Sequence, residues 1–346
     1  MSRLPDRSLS SFPRKRTASI LSSRTTGPEG RVRASQVVDE KLLMDAGIYM
    51  DKHPQIMPTK ESREICQQLL TVEHEPPKET IFADDVFETT CDRLRERNEA
   101  MVLRDLTPLL VPSVERWTSL TNPSQSWSQH IFREELNTPW SGLQLLNSMS
   151  TPQPDVAVAF ARTAFSASQL RRLERKTSSR VRSRFMATEW LFFPFLTCKV
   201  NSGEEGLHDA DCHNAHSNGV AITAVVDLYR LVSREMELHR QVLSFSVSHD
   251  NETVRIYAHY PEIDGESTSI YRHSLRKYDF TDQGGKERWT CYIFIMNLYN
   301  DFAPLHLKRL TSAIDQLPDP ETEEGPSDSC LDGDTTCAGS QDSYLT

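Results

Sequence analysis

The sequence predicts an α/β protein in which a mixed central sheet of about five strands is flanked by helices. Three observations support this fold class. Short apolar or β-branched runs occupy residues 154–160, 190–200, 242–247 and 254–260, and they alternate with longer helical patterns. A long helical pattern over 209–234 joins the second of these strands to the third. A strand that continues through a helix into another strand of one sheet favours a parallel pairing.

Composition narrows the class of protein. The chain has 346 residues, of which 37% are hydrophobic and 25% charged, as expected for a globular protein with disordered additions. No run of about 18 apolar residues occurs, so we expect no membrane span. Seven widely spaced cysteines without a CxxC pair favour a reducing, intracellular compartment over a disulfide framework.

The two ends of the chain carry opposite charge. Residues 1–35 are rich in Ser, Arg and Pro, and we expect a disordered basic tail. The run Arg14-Lys15-Arg16 is a candidate for nuclear import, the alternative being a solvated tail of a cytoplasmic protein. Residues 318–346 carry eight acids and no Lys or Arg, which predicts a disordered acidic tail.

Two segments lie between the tails. Residues 36–118 predict a helical N-terminal segment, with helices over 37–46, 62–72 and 84–102, the last capped by Asp84. Residues 119–317 predict the α/β core, although 119–150 has no clear pattern. Within the core, 168–176 predicts a helix, 270–280 a strand, 289–302 a helix or long strand, and 304–317 a final helix. His249 and Asp250 are expected to close a hairpin.

One arrangement of polar residues is typical of metal-dependent nucleases of the PD-(D/E)XK type. In those enzymes an Asp opens one strand, an acid and a Lys lie two residues apart on the next strand, and a polar helix follows. Side chains at i and i+2 share a face of the sheet, so two carboxylates can hold Mg²⁺ beside the Lys. Here Asp155 opens the strand, and Lys199 and Asn201 occupy the paired positions.

The side-chain charges at positions 199 and 201 do not suit metal-dependent hydrolysis. A cation occupies the position of the second acid, and a neutral amide occupies the position of the Lys. An ammonium group repels a divalent ion and attracts a carboxylate. We therefore predict an ion pair between Asp155 and Lys199, and no bound metal or other cofactor unless an active Mg²⁺ site has migrated to other residues.

Over residues 36–317 the chain resembles a fungal family of unknown function whose core is nuclease-like. The segments that carry the resemblance are Ala46-Gly47-Ile48-Tyr49-Met50-Asp51, Arg97-Asn98-Glu99-Ala100, Pro154-Asp155, Phe193-Pro194-Phe195-Leu196-Thr197-Cys198, Asn214-Ala215-His216-Ser217, Ser246-Val247-Ser248-His249-Asp250, Val254-Arg255-Ile256-Tyr257, Leu307-Lys308-Arg309 and Ala313-Ile314-Asp315-Gln316-Leu317. The resemblance implies a restriction-endonuclease-like core with an N-terminal helical extension.

The chain departs from the family pattern at the positions that matter for catalysis. The family has an acid and a Lys where this chain has Lys199 and Asn201, and a Gln where it has His213. The helix positions Asp211, Asn214 and His216 match. If activity remains, the acid has moved to another residue, and the candidates are Glu189, Glu204, Glu205 and Asp211.

Two further sets of residues are candidate binding sites. A basic run could neutralise nucleic-acid phosphates or simply be solvated; it consists of Arg171, Arg172, Arg175, Lys176, Arg180, Arg182 and Arg184. His208, Cys212 and His216 lie at i, i+4 and i+8 and could hold zinc. The alternative, which we favour, is that Cys212 packs as a small apolar residue and His216 makes a buried hydrogen bond.

Three functions are consistent with these observations. The first, which the altered positions favour, is a catalytically degenerate nuclease-like module that binds nucleic acid or a protein partner. The second is an active Mg²⁺-dependent nuclease with a migrated site. The third is a protein-interaction scaffold that uses its charged tails.

Overall fold

A computed structural model describes most of the chain between the two tails. The described residues are 38–50, 53, 55–120, 131–143, 146, 149–175, 185–201 and 206–318. The predicted basic and acidic tails, including Arg14-Lys15-Arg16, lie outside these ranges.

The first part of the chain is mainly helical. Its elements are α1 (Glu40–Asp45), β1 (Ile48–Tyr49), α2 (Lys60–Thr71), α3 (Phe87–Arg95), α4 (Glu99–Asp105), α5 (Thr107–Leu110) and α6 (Val114–Leu120). The predicted helix over 84–102 is two helices, because the chain breaks at 96–98 and Asn98 caps α4 by accepting a hydrogen bond from the Met101 N–H. The predicted cap at Asp84 is wrong: Asp84 instead accepts from the Arg288 guanidinium.

The second part of the chain holds the rest of the sheet. Its elements are β2 (Phe132–Leu136), β3 (Val156–Phe160), α7 (Ala167–Arg175), β4 (Phe192–Val200), α8 (Leu207–Arg230), β5 (Ser244–His249), β6 (Thr253–Asp264), β7 (Ser267–Asp279), the short turn α9 (Asp282–Gly285), α10 (Thr290–Asn297) and α11 (Ala303–Ile314), with a π-helical turn at Leu298–Phe302. The segment 289–302 is thus helical. The hairpin turn is confirmed, since Asp250 Oδ1 accepts from the N–H groups of Glu252 and Thr253.

The sheet is mixed and has seven strands in the order β1-β7-β6-β5-β4-β3-β2. The predicted parallel pairing is confirmed, because α8 connects β4 to a parallel β5. β1 is also parallel to β7, and the other neighbours are antiparallel. The two strands beyond the expected five lie at the edges: β1 has only two residues, and β2 reads Phe-Arg-Glu-Glu-Leu, which gives no apolar signal.

Helices cover both faces of the sheet, so the fold class α/β is confirmed. On one face α8 lies against β4, β5 and β6, and α1 lies beside it. On the other face Phe245 of β5 packs edge-on against Phe294 of α10 and Phe302, with ring centroids 5.6 and 4.9 Å apart. Within the described ranges, no helix is long and apolar enough to cross a membrane.

The helix α8 lies against the sheet with α1 beside it, and it is buried along most of its 24 residues. It begins after Gly206, whose φ of 67° suits a residue without a side chain. Gly219 lets β1 approach the helix, because a Cβ there would lie 2.3 Å from the Ile48 side chain. A helix buried all round must satisfy its polar side chains within the protein, and this positions the residues considered next.

Candidate functional site

Asp155 and Lys199 form an ion pair at the junction of β3 and β4. The pairing of these strands places Asp155 opposite the end of β4, where its N–H donates to the Cys198 carbonyl at 3.0 Å. Lys199 Nζ donates to Asp155 Oδ1 at 2.8 Å, and the Val200 N–H donates to Oδ2 at 2.7 Å. The ion pair predicted from the sequence is therefore present.

The pair is largely withdrawn from solvent. The Asp155 side chain is 5% exposed and the Lys199 side chain 19% exposed. Both carboxylate oxygens accept a hydrogen bond from the protein, and one of these bonds is charge-assisted. A metal ion at this carboxylate would have to share its oxygens with the Val200 N–H and with the Lys199 ammonium, whose positive charge would repel it.

Three further titratable groups surround the pair. Desolvation and, second, the negative charge of Asp155 raise the pKa of Glu99, while Lys199 opposes this shift. Burial lowers the pKa of His213, whose Nε2 lies 3.7 Å from Asp209 Oδ2, and the charges of Lys199 and Asp155 act on it as well. Glu99 and His213 therefore lie near enough to feel the charges of Asp155 and Lys199, and the charge of Asp209 acts on both.

Glu99 is the residue that the sequence analysis missed. It is the first residue of α4, a helix that contacts β4, and it is solvent-exposed. The available signal was the segment Arg97-Asn98-Glu99-Ala100, which carries part of the family resemblance. Because Glu99 lies more than 50 residues before Asp155, no local spacing linked it to the strand motif.

The other predicted strand position, Asn201, lies directly after the end of β4. Its N–H donates to the His249 carbonyl at 3.1 Å, and its side chain donates to the Gly206 carbonyl at 3.1 Å. Asn201 thus stabilises the connection between β4 and α8. Of the candidate acids, Glu189 is exposed, and Glu204 and Glu205 lie outside the described residues.

Asp211 connects α8 to β6 and β7 through hydrogen bonds and ion pairs. Its side chain is 2% exposed, and its Oδ2 accepts from Tyr257 at 2.8 Å and Arg255 at 3.0 Å. Arg272 Nη1 lies 3.6 Å from the same oxygen and its guanidinium stacks on the Tyr257 ring. Asp211 is therefore neutralised by two arginines, and it anchors the helix instead of supplying the missing acid.

Asn214 fastens the same helix to β4 and β5. Its amide donates to the Val247 carbonyl and to Ser248 Oγ, both at 2.9 Å, and its carbonyl accepts from Thr197 at 2.7 Å. Asn218, one turn later, donates to Thr197 Oγ1 at 2.8 Å. These bonds account for the Asn214 position of the helix motif, as the pairing with Tyr257 and Arg255 does for Asp211; the hydrogen bond predicted for His216 is not seen at its Nε2, which is buried without a partner among the described residues.

The candidate zinc ligands do not converge. Cys212 is buried and His208 is exposed, with 3.7 Å between Sγ and Nε2, while His216 is 1% exposed. Burial raises the pKa of Cys212 to about 12, which disfavours the thiolate that zinc requires. In the part of the chain that the structure describes, no group of three His, Cys, Asp or Glu side chains is arranged to hold a metal ion.

Only the start of the basic run lies in the described residues. Arg171 and Arg172 lie on α7 and are half-buried. Arg172 donates to the Asp315 carbonyl at 2.7 Å and lies 3.7 Å from the Asp315 carboxylate, so it joins α7 to the end of α11. The Arg175 side chain and Lys176, Arg180, Arg182 and Arg184 lie outside the described residues.

A family profile for a domain of unknown function, DUF7924, matches residues 86–314. The match covers well over half of the 346 residues, so the chain belongs to this family. It includes every element from α3 to α11 and hence all residues of the site described above. None of the curated proteins matches the sequence.

The burial of the Asp155–Lys199 pair predicts strong coupling in a double-mutant cycle. For Asp155→Asn and Lys199→Met we expect a coupling of about 1–3 kcal/mol in the free energy of unfolding, because each single change leaves the other group partly buried and unpaired. Urea denaturation of the four proteins measures it. The exposed pair Lys60–Glu64, at 3.6 Å, is the control and should give about 0.3–0.5 kcal/mol. Equal values for the two pairs would contradict the prediction.

The burial of His216 predicts a loss of stability in acid. Burial lowers its pKa from 6.5 to about 4, so the unfolded chain takes up a proton before the folded one does. Stability from this residue is complete above pH 6.5 and is lost as the pH falls towards 4, by at most about 3 kcal/mol. We expect His216→Gln to flatten the pH dependence of the free energy of unfolding in this window. His208→Gln, on the exposed side of the same helix, is the control, and the same slope in all three proteins would refute the assignment.

Proposed function

We propose that this member of the DUF7924 family is a catalytically degenerate nuclease-like module of the PD-(D/E)XK type that binds nucleic acid without cleaving it. One observation carries the proposal: Lys199 Nζ lies 2.8 Å from the carboxylate of Asp155, in the position where a metal-dependent nuclease needs a second acid.

The connection of the elements supports the nuclease-like lineage. Asp155 immediately precedes β3, the antiparallel neighbour β4 carries Lys199 near its end, and the polar helix α8 then returns the chain to a parallel β5. The PD-(D/E)XK arrangement has the same sequence of an Asp-led strand, a strand with paired polar residues, and a polar helix. The resemblance in sequence and the arrangement of the site therefore both favour a nuclease-like lineage.

The strand register aligns cationic side chains in one row, and such a row favours a polyanionic binding partner. Lys199 lies opposite Ser248, Ser248 opposite Arg255, and Arg255 opposite Lys277, so these residues form one row across β4, β5, β6 and β7. Directly opposite residues project from the same face of a sheet. The row thus carries three cations from the Asp155 site towards the far strands, on the face that α8 covers only in part.

A buried aromatic residue orients the cations of this row. The Tyr257 ring, which is 2% exposed, lies under Arg272 at 4.4 Å and within 5.3 Å of Lys277 Nζ, so it holds these cations in place and is not itself a surface on which a base could stack. Asp211 offsets part of this charge, because it pairs with Arg255 and Arg272. Lys277 is exposed at the end of the row and is the cation best placed to meet a phosphate.

A second candidate function is an active nuclease with a migrated site. The observation that favours it is the position of Glu99 and Asp209, whose charges act in the same neighbourhood as Asp155. Glu99, Asp155 and Asp209 are not arranged to hold a metal ion, so Mg²⁺ binding would require these three carboxylates to converge as well as Lys199 to turn away and serve as the cation that orients water. This candidate requires a rearrangement of the ion pair, whereas the first requires none.

Cleavage assays separate the two candidates. We expect the full chain to leave single- and double-stranded DNA and RNA intact in Mg²⁺ or Mn²⁺, because the Asp155 carboxylate is already paired. Gel analysis over a range of protein concentrations, with Asp155→Ala and Glu99→Gln prepared in parallel, provides the measurement. Metal-dependent cleavage that both substitutions abolish would establish the active enzyme instead.

Binding assays test the proposed ligand. We expect Lys277→Glu to weaken nucleic-acid binding by about tenfold at low salt and to lower the slope of log affinity against log salt, because fewer counterions are released. Fluorescence anisotropy with labelled DNA and RNA oligonucleotides measures both quantities. Lys308→Glu makes the same charge change at an exposed position on α11 and should have little effect. No binding, or equal losses in both variants, would leave a protein partner as the surviving alternative.

A further inference from the structure

An exposed tryptophan lies at the tip of a short hairpin beside the edge strand β2. Residues 186–192 form this hairpin, in which Met186 pairs with Phe192 and Trp190 lies in the turn. Trp190 is 51% exposed, whereas the other tryptophans among the described residues are buried or half-buried. Tryptophan is among the residues most enriched at the centres of binding interfaces, so this turn is a candidate contact.

Hydrogen bonds hold the turn in one conformation. Thr188 Oγ1 accepts from the N–H groups of Trp190 and Leu191, both at 3.2 Å. The same hydroxyl donates to Glu135 Oε1 at 3.1 Å and so ties the turn to β2. The Ala187 N–H closes the hairpin by donating to the Leu191 carbonyl at 2.8 Å. Because the turn is already ordered, a ligand that binds Trp190 loses little of its affinity to conformational entropy.

Acidic side chains surround the indole ring. Arg133 of β2 covers one face, with its guanidinium carbon 5.7 Å from the ring centroid. Arg133 Nη1 lies 3.4 Å from Glu115 Oε1, and these side chains are 43% and 44% exposed. Glu189 precedes Trp190 in the turn and is exposed. Desolvation raises the pKa of Glu135, and the charges of Glu189 and Glu115 act in the same direction. These three acids outweigh the positive charge of Arg133.

We propose that Trp190 and the acids around it bind a lysine or arginine side chain in a basic segment of a partner protein. The cation lies against the part of the indole ring that Arg133 leaves open, because the face of an aromatic ring attracts positive charge. Glu189 and Glu115 supply negative charge beside it, which complements a basic segment. The stacked Arg133 is an example of the same contact within the chain.

The charge of this surface favours a basic segment over nucleic acid. Bases also stack on exposed tryptophan, but the phosphates next to a stacked base would meet the carboxylates of Glu189 and Glu115. The surface lies at the start of β4, whereas Lys199 lies near its end, about 23 Å away along the strand. It is therefore separate from the site proposed to bind nucleic acid, and the inference does not rest on that function.

Titration of the full, isotope-labelled chain with a short peptide that alternates glycine and arginine tests the surface. The chain has five tryptophans, and the indole N–H signal that is missing from the NMR spectrum of Trp190→Phe belongs to Trp190. We expect this signal to shift in a saturable manner at low salt, while the signal of the buried Trp140 stays in place. The same peptide with citrulline for arginine has a similar shape without the charge and should bind about tenfold more weakly.

A pair of charge variants separates this surface from a general attraction to the acidic chain. Glu189→Gln should weaken the binding measured at the Trp190 signal by about threefold. Glu64→Gln removes a charge of an exposed side chain on α2 and should have no effect. The proposal fails if the Trp190 signal does not respond, if both peptides act alike, or if the two variants weaken binding equally. An oligonucleotide that shifts the Trp190 signal at lower concentration than the arginine peptide would also overturn it and assign the surface to nucleic acid.

Discussion

The site depends on one interaction, the contact between the Lys199 ammonium and the Asp155 carboxylate. This contact joins two antiparallel strands at the point where the chain turns towards α8, and the Val200 N–H completes the set of donors to the carboxylate. The pair is mostly buried, so its mutual attraction offsets the cost of removing both charges from water. An acid at position 199 would place two negative charges together, a state that only a bound cation stabilises. In the present sequence the Lys199 ammonium supplies the positive charge beside Asp155.

The polar residues of α8 give the helix motif a structural role that is independent of any catalysis. Asp211 pairs with two arginines and a tyrosine, and Asn214 bonds to β4 and β5. Each of these side chains is buried, so replacing it would leave its partners unsatisfied inside the protein. Their match to the family pattern therefore follows from how the helix is held against the sheet. It is not evidence of activity, and the functional question is confined to Asp155, Lys199 and the charges around them.

The sequence predicted those features that depend on local pattern. The apolar strand Val156–Phe160, the long helix after Gly206 and the turn at Asp250 follow from periodicity and turn chemistry. The ion pair followed from strand alternation and the sign of two charges. The edge strand β1 could not be foreseen, because two residues carry no periodicity and Ile48 and Tyr49 pair with residues more than 200 positions later. The same limit applies to Glu99, which reaches the site through the packing of α4 on β4, and to the surface at Trp190, whose acids come from three separate segments.

The balance of charge decides what the Asp155 site can hold. Glu99, Asp155 and Asp209 contribute three negative charges, and Lys199 contributes one positive charge, so the neighbourhood is net negative when His213 is neutral. Two unit charges 4 Å apart interact by about 4 kcal/mol at the effective dielectric of a protein surface, so a divalent ion beside Lys199 meets a repulsion of about 8 kcal/mol. Each acid at the same distance would attract the ion by a similar amount, so a metal could be held only if Glu99, Asp155 and Asp209 converged on it, and no such group is arranged among the described residues. The Lys199 ammonium instead neutralises the Asp155 carboxylate within the protein, and the side-chain position of Lys199 is the feature on which the two proposed functions differ.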